Sequence, residues 1–210
     1  MATLDVLTLS EAKLALNLTG TGAHDVELAG FITASSLRLD ELVGPVVRRQ
    51  ISAETHDGGA GQVFVRFFPV SLVASVTEYS GTTATVLTAE TPGTQPADAY
   101  LTEPYSADVT LKGPALHRRS SGADARFPVG RGNVVITYTA GRAVDTAAVD
   151  QRFKLAASLI LINLWRSQQD SSGGMGEFDI PNQIFPRFAV PNAVRELMHG
   201  EVQEPDLLIG

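Results

Sequence analysis

The apolar positions of the chain change period three times. From Thr8 to Val43 they recur at helical spacing. Thr8-Leu9-Ser10-Glu11 fits a capping box, in which the Thr8 hydroxyl accepts from the amide three residues on and Glu11 reaches back. It predicts a short helix to about Leu18. After the loop Thr19-Gly20-Thr21-Gly22, an apolar stripe of Leu28, Ile32, Leu39, Leu42 and Val43 predicts a second helix from Asp25 to Val43. Asp25 and Glu27 suit the positive end of its dipole, and Gly44-Pro45 is a stop signal.

From Val46 to Thr139 the period falls to two. Gln62–Phe68, Val73–Tyr79, Thr82–Leu87, Asp108–Lys112 and Val134–Thr139 read as strands. They are separated by turn formers such as Asp57-Gly58-Gly59-Ala60-Gly61 and Ser80-Gly81, and Pro92 to Pro104 reads as a loop. The pattern predicts a β-subdomain of antiparallel hairpins.

A long helix follows, from about Asp145 to Gln169, roughly 35 Å at ~1.5 Å per residue. Between Leu155 and Trp165 only Ser158 and Asn163 break its apolar run. A helix apolar on nearly every face is buried on all sides. Leu155, Leu159, Ile160, Ile162, Leu164 and Trp165 are therefore candidates both for the core and for an interface between copies. The run is shorter than the ~20 residues a bilayer requires, and Arg152, Lys154 and Arg166 flank it, so no membrane partner is expected.

Beyond the linker Asp170-Ser171-Ser172-Gly173-Gly174-Met175-Gly176, large apolar groups alternate with prolines: Phe178, Ile180, Pro181, Ile184, Phe185, Phe188, Val190 and Pro191. Such frequent prolines bar a long helix or a central strand. Pro191 can open one short helix through Val194, Leu197 and Met198 to Gly200. An extended segment cannot bury these groups on itself. Gly176 to Gly210 is thus read as a partner-binding arm, in preference to packing on its own body. The fold class is α+β: two N-terminal helices and one long C-terminal helix form a helical domain, residues 1–169. A β-rich insertion lies at about 46–139, and residues 170–210 are a flexible hinge and arm.

Composition narrows the function. The net charge is −7 over 210 residues, and the segment from Asp170 on holds seven acids against two bases. A general nucleic-acid binder carries a basic surplus; an acidic tail points to a protein partner. With no cysteine, disulfide scaffolds and thiolate metal sites are excluded, which fits a reducing cytoplasm. Met1–Asp5 lacks the basic and apolar regions of a signal peptide.

Catalytic chemistry is sparse. His24, His56, His117 and His199 form no metal pair at helical spacing. Gly58-Gly59-Ala60-Gly61 lacks the Lys-Ser/Thr ending of a phosphate loop and reads as a hairpin turn. No catalytic residue, metal or cofactor is expected. A small enzyme or ligand-binding module would instead show His24, His56 or His117 clustered with carboxylates in one pocket. One basic cluster, His117-Arg118-Arg119 with Arg126 and Arg131 nearby, has Gly- and Ser-rich flanks and reads as a loop. Its arginines Arg118, Arg119 and Arg126 face either solvent, passing DNA or an acidic partner surface.

The order of parts resembles the tailed-phage head–tail connector, or adaptor, family, similar to the connector of phage HK97. The resemblance is carried by Leu7-Thr8-Leu9-Ser10-Glu11-Ala12-Lys13-Leu14, by the second helix ending before Gly-Pro, and by Phe68-Pro69-Val70-Ser71-Leu72-Val73-Ala74-Ser75-Val76. Further along, Gly113-Pro114-Ala115-Leu116-His117-Arg118 and the run Val134–Gly141 into the long helix match, as does Phe188-Ala189-Val190-Pro191-Asn192-Ala193-Val194-Arg195-Glu196-Leu197. The resemblance implies a non-enzymatic virion protein of the neck, made in the host bacterial cytoplasm. Its copies would form a ring, typically a dodecamer, beneath the portal protein. The ring would extend the DNA channel without sequence-specific DNA binding and dock a head-closure or tail protein. A head-closure or tail-completion protein of the same neck is the alternative.

Overall fold

The computed structural model describes residues 4–104, 110–172 and 190–201. The chain divides into two compact units, Met1–Val47 with Ala143–Gly210, and Arg48–Arg142.

The first unit is helical. α1 spans Leu9–Ala15 and α2 spans Asp25–Val43. The capping box at Thr8 forms in both directions: the Glu11 N–H donates to Thr8 Oγ1 at 3.2 Å, and the Thr8 N–H donates to Glu11 Oε2 at 2.7 Å. α2 ends at Gly44, whose φ of +74° strains any residue with a Cβ. Its buried face holds the expected Leu28, Ile32, Leu39, Leu42 and Val43, but also Ser35 and Ser36. Both hydroxyls donate to the Ile32 carbonyl, and Ser36 Oγ also accepts the Val6 N–H at 2.9 Å. The buried serines therefore tie the N-terminal segment to α2.

α3 spans Gln151–Ser172 and starts later than the apolar pattern predicts. The Asp145 and Asp150 carboxylates accept from the amides of Ala148 and Arg152. These local bonds hold the preceding residues in turns, the usual competition of Asp with helix. α3 is also not buried all round. Phe153, Ala156, Ala157, Ile160, Leu161, Leu164 and Trp165 face the core, whereas Leu155 is 53% exposed.

α4, Asn192–Leu197, corrects the expected arm. Val190, Val194 and Met198 are buried in the same apolar cluster as α2 and α3. Between Val190 and Glu201 the chain thus packs on its own body, because one helical turn aligns Val194 and Met198 on one face. Phe178, Ile180, Pro181, Ile184, Phe185 and Phe188 lie outside the described residues.

The second unit is a sheet of eight strands: β1 Arg49–His56, β2 Gln62–Phe64, β3 Val70–Ser80, β4 Thr83–Ala89, β5 Ala99–Thr102, β6 Ala115–Ser120, β7 Ala123–Asp124 and β8 Val134–Ala140. Their order is β1-β8-β3-β4-β5-β6-β2, with β7 beside β6. The sheet is mixed rather than antiparallel throughout, since β4 and β5 run parallel. β8 sits between β1 and β3 and alternates strictly, with Val134, Ile136, Tyr138 and Ala140 inward. Val63 of β2 shares one cluster with Val76, Tyr100, Leu116 and Ile136. The sheet therefore curls until its two halves share one apolar interior, with β1 and β2 left as its unpaired edges.

Several strand expectations are corrected here. β2 stops at Phe64, short of Phe68. Of Asp108–Lys112, Asp108 and Val109 lie outside the described residues, Thr110 and Leu111 are irregular, and Lys112 makes only an isolated bridge to Val70. The loop read at Pro92–Pro104 contains β5, and the loop read around Arg118 is β6. The glycine run is not a hairpin turn, because β1 and β2 do not pair. Instead it is knitted to a distant loop: the Gly58 N–H donates to the Gly130 carbonyl at 2.9 Å and the Gly59 N–H to the Phe127 carbonyl at 3.1 Å. A Cβ on Gly58 would lie 2.0 Å from the Pro128 carbonyl oxygen, so close approach explains the glycine.

Candidate functional site

The basic cluster is built on β6. Alternation turns Leu116 and Arg118 into the interior and His117 and Arg119 outward. Arg118 is buried, and its Nη2 and Nε reach Glu78 Oε1 and Oε2 at 2.8 and 3.0 Å. Nη2 also meets Asp98 Oδ1 at 2.8 Å. This is the fork-on-carboxylate geometry that makes arginine pairs strong. Burial works against the Arg118 charge, but the Glu78 and Asp98 carboxylates more than offset it and hold the guanidinium above its ordinary range. Arg119 lies by Glu90, Nε to Oε2 at 3.3 Å, and also pairs with Asp124. Glu90 is the main reason its guanidinium is likewise held above the ordinary range, against burial and with help from Asp124.

Arg118 and Arg119 are therefore committed to carboxylates of their own chain. Arg126, in the irregular stretch after β7, and Arg131 further along are exposed and make no ion pair among the described residues.

Each of three histidines meets a different carboxylate. His24 Nδ1 lies 3.2 Å from Glu27 Oε2, His56 Nε2 lies 2.9 Å from Glu54 Oε1, and His117 Nε2 lies 2.9 Å from Glu103 Oε1. The His56 pair extends furthest. Glu54 also accepts from the Tyr138 hydroxyl at 2.7 Å and from the Arg66 N–H at 2.9 Å, and the Tyr138 oxygen accepts the Phe67 N–H at 3.1 Å. Burial pushes the Tyr138 phenol well above the ordinary tyrosine value; the Phe67 N–H opposes this and the Glu54 charge adds to it. Every polar atom of Glu54 and Tyr138 is thus used to pin β1, β8 and the Arg66–Phe67 segment together. Among the described residues no group of three or more His, Asp or Glu side chains is placed to hold a metal ion.

The long-helix candidates separate by face. Ile160, Leu164 and Trp165 are buried in their own unit. Trp165 stands edge-on to Phe31 and His24, with ring centroids 5.8 and 5.4 Å away. Leu155 is exposed, and Leu159 and Ile162 are half-buried on the same side of the helix. Of the expected arm residues, Val190 is buried, Pro191 stands at the N-cap of α4, and Leu197 packs on the helical core.

Glu78, Asp98 and Glu54 were not singled out by sequence reading. Glu78 carried a usable signal: it shares the inward register of Val76 on one strand, a charged residue at a core position. Its partner is forty residues away and had none.

No helix among the described residues is long and apolar enough to cross a membrane. No protein-family model and no curated protein matches the sequence. Among solved structures the chain is similar to a protein in the neck of an empty GTA particle computed with C6 symmetry. The superposition has a TM-score of 0.60 at 18% identity and covers 100% of this chain and 96% of the other. The likeness is one of fold, and it extends over both units.

Proposed function

We propose that the protein is a structural component of the neck of a phage-like particle, acting as its head-to-tail adaptor. The observation that carries this reading is the end-to-end fold likeness to a protein of a symmetric particle neck. In this role copies close into a ring, a dodecamer, beneath the portal protein, extend the DNA channel, and dock the head-closure or tail protein. The ring needs no cofactor and performs no catalysis. The paired arginines and the net charge of −7 support a lumen that lets DNA slide, since a sticky basic wall would retard it.

α3 serves this role through its half-exposed side, Leu155, Leu159 and Ile162, while Ile160, Leu164 and Trp165 hold the unit together. The partner-binding segment is narrowed to residues 176–189 with Phe178, Ile180, Pro181, Ile184, Phe185 and Phe188. Val190, Pro191 and Leu197 anchor its far end in the helical core. Arg126 and Arg131 are the arginines of the basic cluster left to meet DNA or an acidic partner.

A second reading, a head-closure protein of the same neck, is favoured by the size of the curled sheet, which makes unit Arg48–Arg142 a full domain. One experiment separates the two. Native mass is measured by light scattering for the chain alone and mixed with the portal protein of the same particle. It is repeated with residues 176–189 replaced by a Gly/Ser linker. A ring-sized species, or a fixed-stoichiometry complex with portal that the replacement abolishes, supports the adaptor. Indifference to portal by both forms overturns it.

A further inference from the structure

α2 and α3 pack on each other through their apolar faces, and each leaves a second, partly apolar face outside. On α2 this face holds Val26, 92% exposed, then Gly30, Ala34 and Leu37, the last 51% exposed. At 100° per residue all four fall within a quarter-turn. On α3 it holds Leu155, 53% exposed, with Leu159 and Ile162. Each stripe lies on the side of its helix turned away from that helix's buried residues, although Leu159 at the stripe's margin also touches the core.

The ends of the two stripes are charged, with opposite sign. The α2 stripe is flanked by Glu27 and Glu41, and the α3 stripe by Arg152 and Arg166. Both pairs are fourteen residues apart (27 to 41 and 152 to 166), about 21 Å along a helix. The acids therefore match the bases whichever way the two helices run. Their present partners do not compete strongly. Glu41 pairs with Arg38, Arg152 with Glu201, and Glu27 with His24, all side chains about a third or more exposed. Glu27 also accepts an exposed hydrogen bond from Gln168 of its own α3, and such surface contacts exchange easily. Arg166 makes no ion pair among the described residues.

Gly30 adds an independent observation. A glycine inside a helix destabilises it relative to alanine, and a Cβ there would meet nothing of its own chain within 4 Å. Nothing in the described chain explains the glycine, whereas a second helix approaching closely would.

We propose that the α2 stripe of one copy receives the α3 stripe of the next. Val26–Leu37 covers Leu155–Ile162, and Glu27 and Glu41 pair with Arg152 and Arg166. The two faces differ, so the contact is heterologous and repeats around an axis until the ring closes. This inference rests on the ring reading above and names the surfaces that build it.

The chain contains no cysteine, so engineered pairs give an unambiguous readout. Ala34 and Leu159 are the midpoints of their stripes and meet in either orientation. Under mild oxidation A34C/L159C should give a ladder of disulfide-linked multimers, and each single variant none. Dimers from a single variant would show a face pairing with itself and overturn the proposal. A ring-sized mass with no ladder would overturn this interface and leave the ring reading standing. A monomer with no ladder at any concentration would overturn both. Because Leu159 also packs inward, a second set avoids it: R152E/R166E should lose the ring-sized species while keeping native helix content. Adding E27R/E41R should restore it, and failure of that rescue would overturn the charge pairing.

Discussion

Arg118 of β6 and Glu78 of β3 join two strands that are not neighbours in the sheet, through a bidentate pair of 2.8 and 3.0 Å inside the curled β unit. Both are buried, at 7% and 6% exposure. The pair ties β6 to β3 across the intervening strands β4 and β5, where no backbone ladder can.

Breaking such a pair costs more than the pair itself contributes, because the remaining charge stays buried. Arg118→Met or Glu78→Met alone should destabilise by about 3–5 kcal/mol, whereas the double variant should recover most of the loss. Asp98, with a side chain 55% exposed, can be hydrated when the arginine is gone. Arg118→Lys keeps the charge but loses the fork, and should fall between. Urea unfolding of the four variants checks this. A double variant no better than the singles would mean that the site cannot accept apolar side chains.

Glu11 links the helix cap to α3. Its carboxylate accepts from Lys154 Nζ at 2.7 Å and from the Thr8 N–H at 2.7 Å. Burial pushes the group up, but Lys154 and Thr8 more than offset it, so the carboxyl sits below the ordinary 4.5. A depressed carboxylate contributes stability that is present above the unfolded value and lost as pH falls through the folded one. Wild type should therefore exceed Glu11→Gln in Tm near neutral pH, and the gap should close as pH falls below about 4.5. The group is a third exposed, so the gap is small. A gap independent of pH would place the effect in packing rather than charge.

Met198 decides whether α4 belongs to its own body. It is fully buried beside Val194 in the core formed with α2 and α3. Met198→Ala should cost the free chain about 2–5 kcal/mol. An arm that docked only on a partner would show no loss in the isolated protein and a loss only in the complex. Thermal unfolding of the free chain and a portal-binding titration, run on the same variant, separate the two.

Periodicity made most of the helical unit legible. α2 was readable end to end, since Leu28, Ile32 and Leu39 share a stripe and Gly44 must take a positive φ. The capping box at Thr8 was readable because it is local. The start of α3 was not: the pattern ran back to Asp145, but the side chains of Asp145 and Asp150 bond nearby amides and hold the turn open. What failed in the β unit was long-range. Arg118 looked like a surface loop residue because its neighbours are small and polar, while Glu78 and Asp98, which neutralise it, are distant in sequence. Gly58 looked like a turn glycine because its real constraint, the Pro128 carbonyl, lies seventy residues on. The six-residue α4 was anticipated from Pro191 and Gly200, but where it packs depends on a core that no local pattern describes.

Tyr138 offers a test of the β unit through its own titration. The phenol is fully buried, donates to Glu54 and accepts from the Phe67 N–H. Burial first, and the Glu54 charge after it, disfavour the phenolate, so the group ionises far above the ordinary value of 10. A raised folded pKa contributes stability that is fully present below the unfolded value and lost as pH rises above it. The chain has four tyrosines, and burial also raises Tyr100. Ultraviolet titration should therefore show Tyr100 and Tyr138 lagging behind the ordinary tyrosine transition and appearing only as the unit unfolds. Tyr138→Phe should remove one lagging group and flatten the alkaline loss of stability. It leaves the Phe67 N–H and a Glu54 oxygen short of a partner, so it should cost about 1–3 kcal/mol at neutral pH. A Tyr138 phenol ionising near pH 10 in a still-folded protein would show that it is open to water, and the Glu54–Tyr138 clamp would have to be abandoned.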